Sequence, residues 1–200
     1  MPLKAERQYR NAEFRAKEDE SYIVEGYATT WERYPLYEYE DRTVYEQFSK
    51  EDFAGTKMDD VIFQYNHEGK VFARMSNGTL KLSFDDYGLK VVADLGLTEE
   101  SRKMYEEIKV GLVTKMSWGF LPAGLPEYDE ETSTITWKNG IKKIYDVSAV
   151  FIPANDTTEI SARSACDGVI ANTLAECKRA KEIEDARKRM IAILEMEGVK

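Results

Sequence analysis

One histidine occurs in the 200-residue sequence, so imidazole chemistry in this chain has a single address, His67. A serine hydroxyl is a poor nucleophile until a neighbouring base takes its proton, and imidazole suits that task near neutral pH because its free pKa lies there. Two serines stand in β-type runs where a rigid backbone can present them: Ser117 in KMSWGF and Ser148 in YDVSAVF. Strand alternation puts Met116 and Trp118 on one face and Ser117 with Gly119 on the other, so the Ser117 hydroxyl looks onto a face with little bulk beside it. Asp146 shares the face of Ser148, while Val147, Ala149 and Phe151 take the core face. A carboxylate so placed can fix a histidine tautomer and stabilise the imidazolium. Arg163 and the glycines near Ser117 are available to an oxyanion, although their spacing singles out none of them. The pattern alone leaves plainer readings open: a turn histidine without a task, a strand serine bonded locally, and one exposed acid among 37 acidic residues.

The elements that must position these residues read as alternating runs broken by turn chemistry. The opening segment predicts a frayed edge strand or an arm, and residues 21–31 predict a strand rich in Tyr, Ile, Val and Thr. A loop around Pro35 follows, then a helical or irregular stretch over 44–55 that stops at Gly55. Residues 61–67 predict a buried strand that ends in the polar turn NHEGK, which places His67 at a strand end. GTLKLSFDD and GLKVVADLG predict a hairpin about residues 85–88. Thr98 predicts a helix cap, Glu99 and Glu100 suit the first turn, Met104 and Ile108 share a face, and Gly111 marks the end. LVTKMSWGFL returns to strand. TSTITW and IKKIYDVSAVFI predict a second hairpin about Asn139-Gly140, with Pro153 closing the last strand. Residues 169–197 predict a solvated amphipathic helix with pairs such as Glu184 and Lys188 at i,i+4 spacing. The shift of period divides the chain into a body, residues 1–163, and a charged helical tail, residues 164–200.

Composition removes whole classes of function. A hydrophobic share of 42% can furnish a core. A formal charge of -9 argues against a nucleic-acid partner, which needs clustered Lys and Arg. No apolar run approaches the roughly 20 residues that cross a bilayer, and the first thirty residues are charged where a signal peptide is apolar. Membrane insertion and secretion are therefore not expected. Cys166 and Cys177 have neither redox nor zinc spacing and suit a reducing cytoplasm. A single histidine excludes His-rich metal sites, and no cofactor is expected.

Four ordered blocks then narrow the reading: VEGYATTW at 24–31, a stretch from 65 to 95, a stretch from 106 to 120, and IYDVSAVFIPAN at 144–155. Asn66-His67-Glu68 ahead of Gly78-Thr79-Leu80-Lys81-Leu82, Ser117-Trp118-Gly119-Phe120, and an acid before V-S-x-V ending in P-A-N resemble the tailed-phage prohead (capsid maturation) protease family. That family's fold is similar to the herpesvirus assemblins. The resemblance implies an α+β fold, a mostly antiparallel β-barrel with peripheral helices and the C-terminal helical tail. It implies a serine endopeptidase with candidate catalytic residues His67, Ser117 and Asp146, and it returns Ser148 to a structural reading. Many relatives carry Glu at the position of Asp146, and assemblins use a second histidine as third member, which this chain lacks. The implied partners are the phage major capsid protein and scaffold segment, with self-association and autoprocessing, inside the prohead in the host cytoplasm. The competing expectations are a non-catalytic capsid assembly or scaffolding protein with a protease-like fold, and an esterase or amidase. The second lacks the G-x-S-x-G elbow.

Overall fold

β-branched and aromatic residues alternate through most of the chain, and the computed structural model, which describes residues 8–16, 21–150 and 156–196, folds those runs into strands of two sheets. In chain order they are β1 (Gln8–Ala16), β2 (Ile23–Thr30), β3 (Tyr34–Tyr39), β4 (Arg42–Gln47), β5 (Ile62–Tyr65), β6 (Glu68–Arg74), β7 (Leu80–Phe84) and β8 (Gly88–Asp94). Then come α1 (Glu99–Lys109), β9 (Lys115–Pro122), β10 (Glu127–Asp129), β11 (Thr134–Thr136), β12 (Ile141–Val150) and α2 (Asp156–Met196). The larger sheet has eight strands in the order β6-β5-β12-β9-β1-β2-β8-β7, and the smaller has four, β10-β11-β4-β3. Pairing is antiparallel except between β12 and β5 and between β11 and β4. The chain is thus α+β and mostly antiparallel. Among the described residues the expected closed barrel is not found: β6 and β7 are the two edges of the larger sheet and share no ladder. A turn of 3-10 helix, Met75–Asn77, leads into Gly78 at φ +77°, and the strand beyond it pairs with β8 alone.

Several expectations hold. β2, β5, β9 and the β7–β8 hairpin fall where the alternation puts them, and the opening segment is strand over Gln8–Ala16, although it is not the expected edge, since it pairs with both β9 and β2. Thr98 caps α1 by accepting from the Ser101 backbone N–H, and Met104 and Ile108 are buried. Two expectations fail. The Pro35 loop and the stretch after it are a hairpin, β3 and β4, with a 3-10 turn at Lys50–Phe53. Pro35 is tolerated because β3 is a sheet edge. The inward position of β4 after Val44 is a glutamate, Glu46, which hides the alternation. Nor do β11 and β12 form a hairpin. Asn139-Gly140 does make a turn, with Gly140 N–H donating to Trp137 C=O at 2.7 Å, but the chain there crosses between sheets. β11 pairs with β10 and β4, and β12 with β9 and β5. β6 was not anticipated. Pro153 and the P-A-N end of the last block lie outside the described residues, and α2 begins at Asp156, ahead of the expected start.

What locks the sheets together is an aromatic layer and one buried ion pair. Trp118 and Phe120 of β9 stack at 4.4 Å between centroids, and Phe48 and Trp137, which follow β4 and β11, meet them edge-on. Beside this layer Arg10 of β1 clasps Glu46 of β4 through Nε at 2.5 Å and Nη2 at 2.7 Å. Trp137 Nε1–H and the Tyr34 hydroxyl donate to the same carboxylate. Desolvation disfavours the Arg10 charge, but the adjoining Glu46 carboxylate outweighs it and keeps the guanidinium protonated. No helix among the described residues is long and apolar enough to cross a membrane.

Candidate active site

Residues 116–120 of β9 and 146–150 of β12 are buried on both faces, so what they carry on the face away from the aromatic layer is shielded from bulk water. Antiparallel pairing sets Ser117 directly opposite Ser148, and Gly119 opposite Asp146. Alternation by itself would put Ile144 and Asp146 on the same face. The register slips by one residue between them, however, since Ile144 pairs with Phe120 and Asp146 with the adjacent Gly119. This bulge lets Ile144 point into the core with Phe120 while Asp146 joins the serines.

His67 arrives from the neighbouring edge. β5 runs parallel to β12 and turns back into β6 through only Asn66 and His67. Both residues have positive φ, +49° and +59°, as a two-residue hairpin of the primed type requires. Asparagine adopts that conformation more readily than most residues, and Gly69 at +76° follows close behind. The Asn66 N–H donates to the Ala149 C=O at 2.9 Å, pinning the turn to β12 next to Ser148.

The geometry that results is a linear relay. His67 Nε2 lies 2.7 Å from Ser117 Oγ, and His67 Nδ1 lies 2.5 Å from Asp146 Oδ2. An ionised carboxylate only accepts, so the Nδ1 proton belongs in that contact and the neutral ring offers its Nε2 lone pair to the serine hydroxyl. Ser117 and Asp146 have no exposed surface, and His67 is 15% exposed. Chemically the arrangement can take a proton from Ser117 and stabilise the resulting imidazolium in surroundings of low dielectric.

The structure therefore brings together His67, Ser117 and Asp146. Asp146 is a buried acid, not the exposed strand residue its alternative reading described. Ser148 is adjacent, but its Oγ donates to Asp146 Oδ2 at 2.7 Å. Side chains around Arg163 lie outside those described. Glu68 is exposed at the start of β6. Among the described residues no group of three or more His, Cys, Asp or Glu is arranged to hold a metal ion. Reasoning from sequence missed the conformation of Asn66, for which the asparagine before the histidine, in a polar stretch after a strand, was the available signal.

Neither the curated proteins nor the solved structures contain a match to the chain. A family model described as caudovirus prohead serine protease matches residues 10–174, which takes in both sheets and the beginning of α2. Since the match covers most of the 200 residues and every residue of the relay, the chain belongs to the caudovirus prohead serine protease family.

Proposed function

We propose that the chain is a serine endopeptidase whose nucleophile is Ser117, whose general base is His67 and whose third member is Asp146. It cleaves scaffold segments or N-terminal extensions of the capsid protein inside the immature capsid, in the host cytoplasm, and it processes itself. The observation that carries this reading is the imidazole held at hydrogen-bond distance from both the serine hydroxyl and a buried carboxylate.

In the first step Ser117 Oγ attacks the scissile carbonyl carbon while His67 Nε2 takes its proton. Asp146 keeps the ring in the Nδ1–H tautomer and offsets the imidazolium charge. The tetrahedral adduct collapses as Nε2–H delivers that proton to the departing amine, which leaves an acyl group on Ser117. Water then attacks the acyl carbon as Nε2 takes one of its protons, and the bond from that carbon to Ser117 Oγ breaks as Nε2–H returns the proton to Oγ, which releases the second product and restores the hydroxyl and the neutral ring. Because Ser117 is wholly buried, a peptide or a probe reaches the hydroxyl only after local opening. The tail from residue 164 supplies contacts to scaffold or to another copy, or is itself removed by cleavage.

The test uses the full chain. Purified protein is incubated with a fluorophosphonate probe and followed by intact mass, and in parallel without probe on a denaturing gel with fragment masses. One covalent adduct on Ser117 and time-dependent fragments, both absent in a folded Ser117→Ala protein, are expected. Fragments that persist in Ser117→Ala would overturn the assignment of the nucleophile, and a folded parent that never labels would leave the assembly-factor reading.

A further inference from the structure

Resting on that reading of the site, we propose that Ser148 is a positioning residue which holds the Asp146 carboxylate against His67, making the relay four members long. Ser148 and Asp146 are both wholly buried, and the Ser148 hydroxyl donates to Oδ2 at 2.7 Å. That oxygen is the one that takes His67 Nδ1–H at 2.5 Å. Two donors converging on one carboxylate oxygen fix its rotation about the Cβ–Cγ bond and stabilise its ionised form away from water. The bulge before Asp146 loosens the ladder at the very residue whose side chain needs aiming, and the serine two residues on supplies the restraint.

The placement also explains why two serines opposite each other across a ladder do not compete. Ser148 spends its only proton on Asp146. Ser117 spends its own on His67 Nε2. In the order Ser148, Asp146, His67, Ser117 the donors therefore converge on the Asp146 carboxylate from both ends, and the nucleophile is the serine left facing the base.

The experiment compares the full-length parent with Ser148→Ala, Ser148→Thr and Ser148→Cys, alone and in an Asp146→Asn background. Fluorophosphonate labelling of Ser117 is measured against probe concentration. Because His67 is the sole histidine, its Nδ1–H proton resonance is read without ambiguity in the same proteins. Ser148→Ala is expected to lower the limiting labelling rate by about tenfold with little change in half-saturating probe, the scale of one hydrogen bond to a charged group. The threonine variant should return to within about threefold of the parent, and the alanine change should have no further effect once Asp146 is asparagine. If the alanine variant does not fold, the cysteine variant, a weaker donor of similar shape, replaces it with the same expected order. The Nδ1–H resonance should move in Ser148→Ala and stay put in Ser148→Thr. An unchanged resonance, or a rate loss that adds in full to that of Asp146→Asn, would overturn the proposal. The resonance arm, run in Ser117→Ala protein, needs no hydrolysis. A parent that never labels therefore counts against the hydrolase reading, while the resonance still decides the role of Ser148.

Discussion

Replacing Asp146 by asparagine removes a charge while nearly preserving a shape, and the structure sets the size of the effect. Asp146 has no exposed surface and receives His67 Nδ1 at 2.5 Å. When Ser117 gives up its proton, an imidazolium forms beside this carboxylate. With charge centres about 4 Å apart and an effective dielectric constant of about 20, the attraction lost is about 4 kcal/mol. At about 1.4 kcal/mol per decade, that is a loss of about 10³-fold. A second effect adds to it. If the amide nitrogen of asparagine turns toward Nδ1, the ring must carry its proton on Nε2, where it can no longer accept from Ser117. Comparable triads lose about 10⁴-fold on this substitution, so a fall of about 10³- to 10⁴-fold is expected. The assay is the rate of fluorophosphonate addition to Ser117, followed by intact mass from pH 5 to 9, with thermal unfolding as the control. The midpoint should change little, because the Ser148 hydroxyl both donates and accepts and so can bond whichever amide atom of asparagine faces it. Equal labelling rates across that range would refute the reasoning and reduce the site to a Ser117–His67 pair.

Asn66→Val places a β-branched residue at φ +49°, and is expected to cost about 1–2 kcal/mol in urea unfolding and to slow labelling by mispositioning His67. An unchanged unfolding midpoint would contradict it. Glu46→Ala leaves the Arg10 guanidinium buried without its carboxylate, and a loss of about 3–5 kcal/mol in the same measurement is expected, while a loss under about 1 kcal/mol would show the pair to be incidental. Burial pushes the Cys166 thiol from 9.0 up to about 12, so the folded chain keeps a proton that the unfolded chain releases. Stability is then intact below pH 9 and falls as pH rises toward 12, by about 1.4 kcal/mol per pH unit from this group. Cys166→Ala should flatten the decline between pH 9 and 10, below the range where the Tyr34 hydroxyl, raised first by burial and then by Glu46, adds its own. An identical slope in both proteins would count against it.

The site was legible because its carriers are strands with clean alternation. KMSWGF and DVSAV each announce which side chains share a face, and a lone histidine in a polar turn leaves one candidate for a base. What the sequence did not disclose is non-local. Asp146 reaches the serine face with Ile144 in the core only through the slip of register against β9, which is a property of two strands. β4 was hidden because its buried position holds Glu46, a residue tolerated there only when Arg10, 36 positions earlier in the chain, comes to meet it. The Asn139-Gly140 signal was read correctly as a turn and wrongly as a hairpin, since local turn chemistry does not say which sheet the next strand joins. The helix over α1 was recoverable almost to the residue because its cap and apolar face are encoded within one short window.

The connection between β5 and β6 is two residues long, and one of the two is His67, the proposed base. Such a linkage has no slack. Adding or removing a single residue in this hairpin would send every side chain beyond it to the opposite face, and the imidazole would leave the serine even though no residue of the relay had been replaced. Length in this stretch is therefore as restricted as identity. An alignment that opens a one-residue gap there describes a different protein, and a library that varies loop lengths in this chain should leave residues 62–68 intact and place its changes in the connection between β10 and β11.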